Sequence, residues 1–227
     1  GLAIVLNRVM GAVINAAYGI GSQISGMLSF VSSSFNNAIA PQLMASEGKG
    51  LPTIFEIETA MAFEYLSYKG CDIAIIETGM GGDTDATNVC SRVLASIIVS
   101  ISLDHMQFLG DTLEEVAAHK AGIIKEGCPV VIYEQSEQVI NIVVNRGKKL
   151  NAPVYIAKTH GMEKEPFDYI SNDGTTYEGV TTGLKGTWQV KNACVAIEAI
   201  EVLKKQGYSI PKAAVINGLK NTVWPGR

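Results

Sequence analysis

The sequence predicts an α/β fold, a mostly parallel sheet flanked by helices. Three observations carry that prediction. Short apolar runs at 72–77, 94–101 and 129–133 have the length and composition of buried strands. Helix starts alternate with them, at the capping-box pairs Thr53/Glu56 and Thr112/Glu115 and at Ser136. Glycine and carboxylates gather just after a strand, at 77–88, where parallel sheets collect their functional groups.

The chain opens on a different composition. No Asp, Glu, Lys or Arg stands between Arg8 and Glu47. A helix of that length would rise roughly 55 Å at about 1.5 Å per residue, against roughly 30 Å for the hydrocarbon core of a bilayer. Gly11, Gly19, Gly21 and Gly26 are the small residues that let membrane helices approach. Two domains are therefore expected: an apolar helical segment over 1–50, associated with a membrane, and a second unit over 51–227. A buried helical hairpin of a soluble protein is the competing reading of the first. The words Leu6-Asn7-Arg8, Asn15-Ala16-Ala17-Tyr18-Gly19-Ile20 and Asn37-Ala38-Ile39-Ala40-Pro41-Gln42 resemble one stretch of the oligosaccharide-flippase and multidrug-exporter superfamily. Fifty residues cannot build a transport path, so no transport activity follows.

From residue 51 the elements come in order. Thr53 opens a helix whose apolar face is Ile57, Met61, Phe63, Tyr65 and Leu66. A strand over 72–77 ends on Glu77, followed at once by Gly79, Gly81 and Gly82, then Asp85 and Asn88. A second strand, 94–101, leads to Asp104-His105; a helix runs from Thr112 through Lys120 to about Lys125; a third strand covers 129–133.

Charge and cysteine usage narrow the function. A net charge of -4 and a pI near 5.4 argue against a nucleic-acid partner. Cys71, Cys90, Cys128 and Cys194 form no CxxC pair, which excludes the usual zinc and disulfide frames and suggests reduced thiols in a cytoplasmic protein.

Glu77 and His105 each follow the carboxyl end of a strand. A strand that stops on a carboxylate and turns through glycines presents an oxygen ligand while letting backbone approach a phosphate. The pair points to a hard cation such as Mg²⁺ bridging nucleotide phosphates. Phe55-Glu56 with Thr59-Ala60-Met61-Ala62-Phe63, Glu77-Thr78-Gly79-Met80-Gly81-Gly82, Asp85-Ala86-Thr87-Asn88-Val89, Leu103-Asp104-His105, Leu109-Gly110-Asp111-Thr112-Leu113, Lys120-Ala121-Gly122-Ile123-Ile124-Lys125, Trp188-Gln189, Asn192-Ala193 and Trp224-Pro225-Gly226-Arg227 follow in sequence. Together they resemble the central, ATP-binding domain of folylpolyglutamate and dihydrofolate synthases, within the Mur ligase superfamily.

That resemblance implies roles. Glu77, His105 and Lys120 would hold Mg²⁺, Lys120 as a carbamate, since a desolvated lysine can react with CO₂. Lys120 and His105 would be the catalytic residues. Asn192, Arg227, Gly81 and Gly82 would approach ATP, and Asp85 and Asn88 the substrate. The implied partners are a folate or dihydropteroate and L-glutamate, and the implied state is a monomer. The reaction would phosphorylate a carboxylate to an acyl phosphate, which the amine of glutamate attacks. Alternatives are another Mur-type ligase acting on a UDP-muramoyl substrate, and a transporter fragment carrying a passenger domain.

Departures from the family pattern are expected to matter. Its phosphate loop has only Ala45-Ser46-Glu47-Gly48-Lys49-Gly50-Leu51 as a counterpart, with no hydroxyl at Leu51 and no strand pattern preceding it. The first strand and phosphate loop are thus read as missing. Asp83 stands where Arg is usual and Trp188 where His is common. The family continues past the position of Arg227 into a Rossmann-like domain. No glutamate ligation is expected from this chain alone.

Overall fold

The computed structural model describes residues 2–6 (as backbone), 52–103 and 106–223. Its elements are β1 (Leu2–Leu6), α1 (Ile54–Tyr68), β2 (Ile73–Ile76), a 3₁₀ turn (Ala86–Val89), β3 (Val93–Ile98), α2 (Met106–Leu109), α3 (Leu113–Ala121), β4 (Val130–Tyr133) and α4 (Glu137–Lys149). There follow β5 (Val154–Ala157), β6 (Phe167–Ile170), β7 (Thr176–Val180), α5 (Thr187–Lys205) and α6 (Lys212–Lys220).

Five strands form one sheet in the order β2-β1-β3-β4-β5, every pairing parallel. Side chains alternate across it as a pleat requires. Ala95 and Ile97 of β3, with Val131 and Tyr133 of β4, pack into the layer built on α5. Ile98, Val130 and Ile132 face the opposite layer, with Ala117 and Ala121 of α3 and Val139 and Val143 of α4. Strands covered on both faces read as continuous apolar runs, and β4 is buried at all four positions. Both predicted capping boxes are present, Thr53 with Glu56 and Thr112 with Glu115. The predicted face of α1 is half-buried, and Thr59 is the helix's buried residue.

A short antiparallel hairpin, β6–β7, closes over α5. Two buried carboxylates on α5 receive it. Glu198 accepts from the Tyr169 hydroxyl and the Asn172 amide, both at 2.8 Å. Glu201 accepts from the Tyr177 hydroxyl and, at 2.8 Å, from Lys204 Nζ.

Three expectations are corrected. The sheet does not lack its first strand: Leu2–Leu6 pairs in parallel with β2 on one side and β3 on the other. A run of five apolar residues suits a strand with neighbours at both edges, and the backbone hydrogen bonds of β2 and β3 select that state over a helix. Membrane association of 1–50 is overturned with it, because that segment begins inside the sheet. Among the described residues no helix is long and apolar enough to cross a membrane. The cytoplasmic placement is withdrawn too, since free thiols describe chemistry and no described element addresses a compartment. The apolar helical segment over the rest of 1–50, its transporter-like words and Gly48-Lys49-Gly50 lie outside the described residues.

Candidate active site

β2 is apolar from Ile73 to Ile76 and delivers Glu77 at its carboxyl end, exposed. The next residue, Thr78, has its hydroxyl buried and without a hydrogen-bond partner. The glycine-rich loop then folds onto the last turn of α3, and two glycines make that approach possible. A Cβ on Gly82 would lie 2.6 Å from the His119 carbonyl oxygen and 3.2 Å from Lys120 Cα. A Cβ on Gly122 would overlap the Asp83 side chain and come within 2.6 Å of its Cα. Backbone meets backbone here, and any side chain would hold the two apart.

Asp85 and Asn88 build the loop. The Asp85 carboxylate accepts from the Met80 amide (2.8 Å), the Thr87 amide (2.9 Å) and the Thr87 hydroxyl (2.5 Å), capping the 3₁₀ turn. Asn88 Nδ2 donates to the Asp83 and Gly122 carbonyls at 3.1 and 3.2 Å. The Asn88 carbonyl accepts from Lys125 Nζ at 2.8 Å, while Asn88 Oδ1 is buried without a partner. Buried polar atoms without a protein partner are uncommon; Thr78 Oγ1 and Asn88 Oδ1 share that state with the Tyr133 hydroxyl at the end of β4.

The departure at Asp83 has a partner to explain it. His119 Nδ1 lies 3.0 Å from both Asp83 carboxylate oxygens. Partial burial pushes the Asp83 carboxyl up, but the His119 hydrogen bond and charge and the Thr84 amide outweigh it and hold it below its ordinary value. Neither capping, periodicity nor spacing pairs residues 36 positions apart, so sequence reasoning could not find this contact.

Lys120 is half-buried in the same last turn of α3. His105 and Arg227 lie outside the described residues. Among the described residues no three His, Cys, Asp or Glu side chains converge as a metal-ligating group. Gln135 was also missed. Its side chain accepts from the Ile101 amide at 2.9 Å and donates to the Val99 and Tyr133 carbonyls at 3.4 and 3.1 Å. It thereby ties the segment leaving β3 to the end of β4. On the first turns of α5, Asn192 Nδ2 reaches Gln189 Oε1 at 3.3 Å, and Trp188 is exposed with Lys191 Nζ 5.4 Å over its ring.

A parallel sheet with a glycine-rich loop at a strand's carboxyl end, packed on a lysine-bearing turn, defines the class. The Mur ligase middle domain matches residues 27–200, and the chain belongs to that family. Among its relatives is a probable dihydrofolate synthetase of Schizosaccharomyces pombe, 41% identical over 177 residues, which cover 77% of this chain and 42% of that protein. A dihydrofolate synthase/folylpolyglutamate synthase of Bacillus subtilis is 38% identical over 188 residues, covering 78% and 43%. A solved FPGS–AMPPCP complex superposes with a TM-score of 0.79 at 27% identity, covering 100% of this chain and 65% of that one. The apo form of L. casei FPGS gives 0.79 at 26%, covering 100% and 64%. The chain spans less than half the length of these curated relatives. The resemblance to a flippase or exporter is overturned: the family match begins inside the uncharged run, and the structural likeness covers the whole chain.

Proposed function

We propose that this chain is the ATP-binding part of an ATP-dependent carboxylate–amine ligase of the folylpolyglutamate/dihydrofolate synthase type, which adds glutamate to a folate or pteroate carboxylate. The observation that carries this reading is the close packing of the loop opened by Glu77 on the turn that bears Lys120, with Gly82 as the point of contact. Relatives described as folate ligases support it, as does likeness to an AMPPCP complex. Residues 51–227 form most of this domain, and β1 contributes a strand to it.

The donors suit a magnesium ion. Glu77 brings a carboxylate to the exposed carboxyl end of β2, and carboxylate oxygen is the chemistry that a hard cation prefers. Glu77 and His105 would hold it, with Lys120 as a carbamate adding an anionic arm. When bound, Mg²⁺ supplies charge neutralisation at the transferring phosphoryl group. The chain's own part is to hold these groups and the glycine-rich backbone still while a carboxylate is phosphorylated and the glutamate amine displaces phosphate. Asn192 and Arg227 would serve the nucleotide, as would the backbone at Gly81 and Gly82. Asp85 and Asn88 act on the substrate side by shaping the loop.

Thermal unfolding with AMPPCP, with and without Mg²⁺, tests this. A ligand at 100 times its Kd stabilises by about 2.7 kcal/mol, so a Mg²⁺-dependent rise in Tm is expected in the wild type and its loss in Glu77→Gln. Adding dihydropteroate should raise Tm further. A response to a UDP-muramoyl peptide alone would defeat the folate assignment, and no Mg²⁺-dependent response to AMPPCP would defeat the ligase reading.

A further inference from the structure

Asp83 and His119 meet twice across two elements. The Asp83 amide donates to the His119 carbonyl at 3.1 Å, and His119 Nδ1 sits 3.0 Å from each Asp83 carboxylate oxygen. Around this double contact Gly82 and Gly122 interlock. Asn88 reinforces the same seam through the Asp83 and Gly122 carbonyls, and Lys125 holds Asn88 in turn. Apart from the Asn88–Asp83 bond, which is internal to the loop, these contacts tie the loop after β2, or the 3₁₀ turn it leads into, to the end of α3 and the residues just after it. Both side chains of the pair stay partly exposed, at 42% for Asp83 and 37% for His119, so filling the core is not their role. What they do fix is a relative placement. Lys120 is the next residue after His119, and Glu77 opens the loop that Asp83 anchors.

We propose that Asp83 and His119 are positioning residues, a latch that clamps the glycine-rich loop to the last turn of α3 and so sets Lys120 against the loop opened by Glu77. Its link to chemistry rests on the metal-site reading of Glu77 and Lys120. Opening the latch frees the loop backbone and uncovers the Lys120 turn, while β3, β4 and α5 keep their packing.

Two readouts independent of nucleotide test the latch: amide hydrogen exchange over residues 80–88, and acylation of Lys120 by acetic anhydride in bicarbonate-free buffer, with Lys148 and Lys212 as internal references. Losing a hydrogen bond of ordinary strength should speed both by roughly fivefold in Asp83→Ala and His119→Ala, with little change in Tm. The exchanged pair Asp83→His/His119→Asp should return both to within about twofold of wild type, because the coupling belongs to the pair. Asp83→Asn keeps the volume and one acceptor, and should fall between; it also serves if an alanine variant fails to fold. Single variants indistinguishable from wild type would overturn the latch, as would an exchanged pair no better than either single variant. A wild-type chain that ignores AMPPCP with Mg²⁺ would sink the metal-site reading and leave these two readouts to decide the latch separately.

Discussion

The loop-and-turn region around Gly82 and the hairpin region over α5 use the same chemical groups to opposite ends. In the hairpin region, Glu198 and Glu201 are almost wholly buried, and each accepts from a tyrosine hydroxyl that is itself buried. There the carboxylates lock a hairpin to a helix, and no solvent competes for them. In the loop region, Asp83 and Asp85 are exposed or half-buried, and they organise backbone amides and a histidine at a surface. Burial turns a carboxylate into a structural rivet; partial exposure leaves it able to hold a loop whose neighbours must still meet a ligand. The two regions should therefore fail differently.

The largest expected loss is in the hairpin region. Glu198→Ala strands the Tyr169 hydroxyl in the interior and takes a partner from the part-buried Asn172 amide, and should cost roughly 3 kcal/mol in urea unfolding. A loss under about 1 kcal/mol would place the rivet elsewhere. Next comes Gly122→Ala, whose new methyl has no room beside Asp83; overpacking of this kind costs about 1–3 kcal/mol and should also speed hydrogen exchange over 80–88. Asp85→Ala removes a cap and the Met80 anchor, for about 1 kcal/mol, with the change confined to the loop. A separate effect, read without any substitution, is on alkaline stability. Burial pushes the Cys194 thiol from 9.0 to about 12 and the Tyr133 hydroxyl from 10.0 to about 12. Both keep their protons in the folded chain after an unfolded chain would lose them. Their contribution is complete below about pH 9 and fades as pH climbs toward 12, which urea midpoints across that range will show. A flat profile would mean that these groups are solvated.

What the sequence disclosed follows the same division. Thr53/Glu56 and Thr112/Glu115 were legible because a capping box is written within four residues. β2, β3 and β4 were legible because apolar runs of strand length stand between turn signals, and Glu77 because it ends one of them. β1 was not, since Leu2–Leu6 runs on into a long uncharged stretch and only its two partners distinguish strand from helix. The hairpin's rivets were invisible for a different reason. Glu198 and Glu201 look like ordinary helix charges until tyrosines 29 and 24 residues away are folded onto them. Asp83 looked like a defect in a motif, and its meaning came only with His119. Local signals are written in the sequence; partners brought from a distance are created by the fold.

The central claim is that the turn bearing Lys120 and the loop opened by Glu77 together serve a magnesium–nucleotide site. Isothermal titration of AMPPCP into the wild-type chain and Lys120→Met, with and without Mg²⁺ and in bicarbonate buffer, tests it most directly. The account predicts Mg²⁺-dependent binding that weakens about tenfold in Lys120→Met, near 1.4 kcal/mol, and stays unchanged in Lys148→Met on the far end of α4. Equal affinities for wild type and Lys120→Met, or binding indifferent to Mg²⁺, would contradict it.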